Sequence, residues 1–143
     1  MRIADVLHHP DRIVHKIRTI DTVAKAVRKL SEHNIGALVV TDRWGRHAGI
    51  FSERDLIRGL ERFGDALPDL PVGELMSQDV ITCQLRDHVH KALEVMTIHR
   101  IRHLPVQENG AIVGIVSIGD LVGALIGEKE LEVEILRDLA RAH

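Results

Sequence analysis

Two stretches of the chain set a hydroxyl and a carboxylate three residues apart behind a glycine: Gly49-Ile50-Phe51-Ser52-Glu53-Arg54-Asp55-Leu56 and Gly114-Ile115-Val116-Ser117-Ile118-Gly119-Asp120-Leu121. A serine at the mouth of a helix, beside the unpaired N–H groups of the first turn, suits an anion, because the helix dipole and the free donors both favour negative charge there. One turn further in, Asp55 or Asp120 points back toward the same opening, where a carboxylate can accept two hydrogen bonds from the cis-diol of a ribose. Gly49 and Gly114 leave room for close approach by backbone or ligand. Phosphate donors beside a diol acceptor describe a nucleotide site.

A plainer reading competes with this one. Ser-x-x-Asp approximates a capping box, in which the serine accepts from the third N–H of the helix and the acid reaches back to the serine's own N–H. The usual box prefers Glu or Gln, and an identical Gly-x-x-Ser-x-x-Asp-Leu frame in both places exceeds what capping requires. The copies also differ. Arg54 falls inside the first motif, where the second has Gly119, and Arg100, Arg102 and His103 stand where the first half has Asn34, Gly36 and Ala37. Arg54 could meet a phosphate as an always-charged fork, or be a solvated helix residue paired with acidic neighbours. Arg100 and Arg102 could equally be exposed charges flanking a buried Ile101. The Ser52, Arg54, Asp55 side is the better one for a phosphorylated ligand.

The motifs belong to a longer duplication. Residues 14–42 match residues 80–108 at nine of 29 positions, and residues 45–60 match 110–125 at seven of 16. Each copy predicts a short helical piece, Ile3 to Leu7 or Val72 to Met76, then a short β-stretch at Ile13-Val14 or Val80-Ile81-Thr82. Asp21 and Asp87 read as helix N-caps, ahead of apolar residues at Val23, Ala26, Val27 and Leu30, or at Val89, Ala92, Leu93 and Met96. Two strands follow, Ala37 to Thr41 with Ala48 to Phe51, and Leu104 to Val106 with Ile112 to Val116, the second pair joined by the hairpin signal Asn109-Gly110. A second helix starts at Ser52 or Ser117 and is expected to bury Leu56, Ile57 and Leu60, or Leu121, Val122 and Leu125. The unit is β-α-β-β-α, twice.

With 143 residues and 45% apolar content, the chain can bury one domain's core, but either half alone would be marginal, so the halves should pack together. Division falls at 1–64 for the first repeat, 65–71 for a proline-bearing connecting loop, 72–126 for the second repeat, and 127–143 for a charged C-terminal helix. That helix has an apolar stripe at Leu131, Ile135, Leu136 and Leu139 that needs a partner surface, on its own domain or on a second chain. No apolar run is long enough to span a bilayer and the N-terminus carries no secretory signal, which places the protein in the cytoplasm. The lone Cys83 reads as a small buried hydrophobe. A net charge of −2 with two Phe, one Trp and no Tyr excludes broad attraction to nucleic acid or anionic membrane and the stacking surface of single-strand binders.

The element order, the strand Ile101-Arg102-His103-Leu104-Pro105-Val106 and the closing Gly-Ile-x-Ser-x-x-Asp-Leu resemble the cystathionine-β-synthase (CBS) domain family over residues 1 to about 126. The resemblance implies a tandem pair, or Bateman module: an α+β fold in which two β-α-β-β-α repeats pack sheet to sheet about a pseudo-twofold axis and form two clefts. Such modules bind adenosine-containing ligands, among them AMP, ADP, ATP, NAD and S-adenosylmethionine. By that likeness Asp55 and Asp120 hold ribose hydroxyls, and Ser52 and Ser117 contact phosphate or ribose. The adenine slot is lined by Ile13 to Ile17, Val80 to Cys83, Ala37 to Leu38 and His103 to Leu104. The expected ligand set is therefore Ser52, Arg54, Asp55, Ser117, Asp120, Arg102, His103, Ile17, Ala37, Ile81 and Cys83.

Ten histidines are a surplus, yet His8-His9, His88-x-His90 and His99-x3-His103 lack the helical spacing and completing ligands of a metal site; titration near neutrality could still give mild pH sensitivity. No hydrolase elbow, dinucleotide fingerprint or phosphate-binding loop occurs. The expectation is a non-enzymatic regulatory module with no catalytic cofactor, an adenine nucleotide as regulatory ligand, a homodimeric state and a regulated protein in trans. Its rivals are an interaction protein with empty clefts and a metal or pH sensor built on the histidines.

Overall fold

The computed structural model describes residues 1–7 and 13–142, so His8-His9 lies outside the described residues. In chain order the elements are α1 (Ile3–Val6), β1 (Lys16–Arg18), α2 (Val23–His33), β2 (Ala37–Thr41), β3 (His47–Ser52), α3 (Glu53–Phe63), a 3-10 helix (Gly64–Asp69), α4 (Val72–Leu75), β4 (Cys83–Gln84), α5 (Val89–His99), β5 (His103–Glu108), β6 (Ala111–Ser117) and α6 (Ile118–Arg141). They form two three-stranded sheets, β1-β2-β3 and β4-β5-β6, each with one parallel and one antiparallel pairing. The antiparallel register shifts at the same place in both, between Val40 and Thr41 and between Val106 and Gln107. At the second hairpin Asn109 and Gly110 both take positive φ, 51° and 80°, as a tight two-residue turn demands.

Three apolar clusters explain why β2 is buried along its whole length, a pattern of strands covered on both faces. On one face Leu38 and Val40 join Ile17, Val23, Ala26, Leu30 and Phe51; on the other, Ala37, Val39 and Ile50 meet Val14, Val80, Ile112 and Ile115 between the two sheets. The second half builds its own cluster from Val89, Ala92, Met96, Leu104, Val106, Val116 and Leu121.

The short opening helices are exchanged between halves. Ile3 of α1 is buried in the second half's cluster, and Val72 of α4 in the first's. Matching backbone bonds tie them in. Ile3 N donates to Asp87 O (2.9 Å), Ala4 N to Leu85 O (2.9 Å) and Val89 N to Met1 O (3.0 Å); their counterparts are Val72 N to Asp21 O (2.8 Å), Gly73 N to Thr19 O (2.9 Å) and Val23 N to Leu70 O (2.9 Å). This repetition is the signature of an approximate twofold, and it laces the halves into one body.

Several expectations change. The short strands begin three residues later than the β-rich stretches, at Lys16 and Cys83. Thr22, whose hydroxyl accepts from Lys25 N (3.2 Å), is the N-cap of α2, and His88 that of α5. Asp21 and Asp87 instead accept from Arg18 N and Gln84 N, both at 2.9 Å, closing the preceding turn. On α3 the inward face carries Asp55, Leu56 and Gly59, while Ile57 and Leu60 are exposed. The helix is rolled because Leu67 of the 3-10 segment and Leu75 of α4 close over Gly59, where a Cβ would meet their methyls at 2.7 and 2.9 Å. On α6, Leu121 is buried and Val122 is not. The connecting segment is thus packed structure, with Leu67 in the core. Instead of a separate C-terminal helix, α6 runs unbroken for 24 residues, with Leu131, Ile135, Leu136 and Leu139 all exposed. No helix among the described residues is long and apolar enough to cross a membrane.

Candidate functional site

Each serine sits where a buried strand ends and a helix begins, and the turn at that point is held by the neighbouring strand: Glu53 N donates to Gly36 O (3.1 Å) and Ile118 N to Arg102 O (2.9 Å). Both Ser-x-x-Asp units close a capping box. Asp55 Oδ2 accepts from Ser52 N at 2.9 Å and Asp120 Oδ2 from Ser117 N at 2.9 Å. Beyond that the two differ. Ser117 Oγ accepts from Asp120 N (3.0 Å), whereas Ser52 Oγ in its box also donates to Asp55 Oδ2 (3.2 Å), and Ser77 Oγ adds a bond to Asp55 Oδ1 (2.8 Å). Asp55 is buried to 4% exposure. Ser77 reaches it because the segment after α4 pairs with β3, Ile50 N to Ser77 O (2.9 Å) and Ser77 N to Ile50 O (2.8 Å). That pairing explains Gly49: a Cβ there would lie 2.5 Å from Ser77 O, so it is the chain's own backbone that approaches.

Two clefts open at these helix mouths, and each combines the mouth of one half with walls from the other. The first, about 570 Å³, joins Ser52, Glu53, Arg54, Asp55 and Arg58 to Ser77, the segment Asp79-Val80-Ile81, and Arg100 to His103. The second, about 480 Å³, joins Gly114, Ser117, Asp120 and His103 to the segment Ile13-Val14-His15, the turn Asn34 to Ala37, and Glu53. Both volumes fall in the range of small-molecule sites. Arg100 and Asn34, the corresponding residues after α5 and α2, hold the left-handed conformation that ends each helix, φ 54° and 51°. Glu53 and His103 line both clefts.

The sequence-derived set divides accordingly. Ser52, Arg54, Asp55, Arg102, His103 and Ile81 line the first cleft, and Ser117, Asp120, Ala37 and again His103 the second. Ile17 and Cys83 line neither: at 2% and 5% exposure they point into the two half-cores, as strand alternation requires once β1 and β4 are placed. Burial pushes the Cys83 thiol up to about 11, with Asp87 adding to the shift, so the residue is an inert hydrophobe. Residues missed from sequence are Arg58, Ser77, Asp79 and Asn34, while His15 falls within the expected stretch Ile13 to Ile17. Arg58 alone had a signal, standing one helical turn after Arg54 on the same face.

Two imidazoles that line the clefts, His103 and His15, are shifted toward the neutral form. Burial lowers the His103 pKa; Glu53 and Asp120 partly offset this, and Arg102 adds to it. His15 is lowered by burial, then by the His33 ring stacked 3.9 Å away and by Lys29. Among the described residues no group of three or more His, Cys, Asp or Glu is placed to hold a metal.

A model of the CBS domain family matches residues 3–62 and 72–127. A mitochondrial CBS domain-containing protein of Arabidopsis thaliana is 38% identical over 122 residues, covering 82% of this chain but only 59% of the relative, so the chain spans less than two thirds of that protein. Among solved structures, a CBS-domain containing protein from Agrobacterium tumefaciens is similar at TM-score 0.82 and 39% identity, covering 86% of this chain and 92% of the other. A CBS domain protein from Pyrobaculum aerophilum complexed with AMP is similar at TM-score 0.72 and 31% identity, with 84% and 89% coverage. The CBS domain pair of protein MJ0100, in complex with 5′-methylthioadenosine and S-adenosyl-L-methionine, is similar at TM-score 0.75 and 25% identity, with 90% and 98% coverage.

Proposed function

The chain belongs to the CBS domain family, and from that premise we propose that it is a regulatory module binding adenosine-containing nucleotides in the clefts between its two repeats and signalling their presence to a partner in trans. The observation that carries the reading is the pairing of each Ser-x-x-Asp mouth with a wall from the opposite half. A ligand seated there touches both repeats at once and so can favour one arrangement of the module over another, which is the condition for signalling. In this reading Asp55 and Asp120 hold the ribose hydroxyls, Ser52 and Ser117 the ribose or phosphate, and Arg54 with Arg102 the phosphate. Ala37, Ile81 and His103 flank the base. Relatives of this fold complexed with AMP, or with methylthioadenosine and S-adenosylmethionine, support the ligand class. The exposed stripe on α6 supports a homodimer.

A second reading has its own support: both acids already serve capping boxes, as they would in an interaction protein whose clefts stay empty. Calorimetry and thermal shift with AMP, ATP, NAD and S-adenosylmethionine decide between them. A ligand present at 100 times its Kd stabilises the fold by about 2.7 kcal/mol; affinities weaker than roughly 1 mM for all four favour the capping reading.

A further inference from the structure

The two clefts stand in corresponding places, but their charge does not correspond. Four arginines line the first cleft: Arg54, Arg58, Arg100 and Arg102. In the repeat register their counterparts are Gly119, Gly123, Asn34 and Gly36, none of them charged. Among the described residues the second cleft is lined by no lysine or arginine, while Glu53 and Asp120 both face it. We propose that the clefts are selective by charge: the first takes a phosphorylated adenine nucleotide, and the second an adenosine-type nucleoside that carries no phosphate, with a neutral or cationic group in the 5′ position. This rests on the adenosine-cleft reading and adds which ligand goes where.

Two features of the second cleft act together. Glu53 extends from the first half into the second cleft beside His103: a Cβ on Gly36 would meet His103 Nε2 at 2.6 Å and Glu53 Oε1 at 2.8 Å. A phosphate there would stand against an acid with no guanidinium among the described lining residues, and like charges brought together at a site reject the wrong ligand. A sulfonium or amine in the same place would be attracted. In the first cleft Glu53, Asp55 and Asp79 are met by Arg54, Arg58, Arg100 and Arg102, whose planar forks suit phosphate oxygens, so the balance there is positive where that of the second cleft's described lining is negative.

The test is calorimetric titration of the full chain with ATP, 5′-methylthioadenosine and S-adenosylmethionine, singly and with the other ligand saturating. The expected result is one ATP per chain, and a methylthioadenosine isotherm unchanged by saturating ATP. The double variant Arg54→Gln/Arg58→Gln should lose at least tenfold in ATP affinity while changing methylthioadenosine affinity less than twofold. Glu53→Gln should admit a second phosphorylated nucleotide, raising the ATP stoichiometry toward two. If all three ligands bind but compete one for one, or if wild-type protein takes two ATP of equal affinity, the charge selection is overturned while the adenosine-cleft reading stands. If none binds at millimolar concentration, that reading fails and the selection with it. Thermal melts of each variant without ligand separate lost binding from lost folding.

Discussion

The two helix mouths start from the same four-residue frame and end in different states. At α6 the serine accepts from the acid's backbone N–H and the acid accepts from the serine's. At α3 the acid is sunk to 4% exposure and gathers three bonds, from Ser52 N, Ser52 Oγ and Ser77 Oγ. The difference comes from outside the frame: Ser77 arrives on the segment after α4, an element exchanged from the other half. A motif therefore specifies the turn, while its surroundings specify how deeply the carboxylate is sunk. A ribose hydroxyl donating to Asp55 would have to share or displace the Ser77 bond on Oδ1, a constraint that Asp120 does not meet from this segment.

The largest expected break in this comparison comes from the two motif glycines. Gly49→Ala places a Cβ 2.5 Å from Ser77 O, a backbone atom with little freedom, whereas in Gly114→Ala the nearest atoms are Leu7 methyls at 3.2 Å. Overpacking costs about 1–3 kcal/mol. We expect Gly49→Ala near the top of that range and Gly114→Ala below its bottom, read from urea midpoints. Equal losses would show that the Ile50–Ser77 bridge is not rigid. Next in size are the acids. Asp55→Ala strands the Ser77 hydroxyl and the Ser52 N–H, for a loss of about 2–3 kcal/mol, against about 1 kcal/mol for Asp120→Ala as the loss of a cap. A larger loss at Asp120 would reverse the structural assignment of the two mouths.

Much of this was readable beforehand, and the rest has physical reasons for being hidden. The duplication, the Asn109-Gly110 hairpin, the inward face of α5 and, apart from the exposed Val27, that of α2 follow from spacing and turn chemistry, which are local. The exchange of α1 and α4 does not: a four-residue helix has an apolar side, but nothing in Ile3 or Val72 says which half will cover it. Ser77 was missed for that reason. Ile17 and Cys83 were misassigned because strands of three and two residues give alternation almost nothing to act on, so a shift in where they start changes which side chains face the cleft. The exposure of Ile57 has a similar origin. Helical periodicity finds an apolar face, but Leu67 and Leu75 closing over Gly59 decide which face is used.

A smaller effect is a pH dependence of stability set by histidines at and between the clefts. His15 lines the second cleft, His103 lines both, and His47 accepts from Ile112 N (3.3 Å) between the sheets. All three are held below the ordinary histidine value, each first by burial. His33 and Lys29 add to this at His15, and Lys16 at His47; at His103 Glu53 and Asp120 oppose it and Arg102 reinforces it. The folded state thus prefers them neutral. Their contribution is fully present above the unfolded value of about 6.5 and is lost as pH falls through the lower folded values, because the unfolded chain takes up the protons first. Urea midpoints should fall between pH 7 and pH 5, and His103→Gln should flatten part of that slope. A wild-type profile without slope there would contradict the neutral assignment.

The smallest effect concerns the part of α6 with no counterpart in α3. Beyond Gly127 the described residues are all exposed, including Leu131, Ile135, Leu136 and Leu139, and the helix extends about 21 Å further at 1.5 Å per residue. Side chains left exposed add little to the chain's stability, since surface changes away from buried features stay within about 0.5 kcal/mol. Truncation after Gly127 should leave the urea midpoint and both ligand affinities nearly unchanged, because both clefts lie on the other side of Leu121. The isolated apolar stripe, however, is the feature expected to bind a second copy. Sedimentation of the full and shortened chains should therefore differ where their melting does not. A shortened chain that melts much earlier would mean that the stripe's partner also stabilises the fold of each chain, and assembly would then be part of what holds the clefts open.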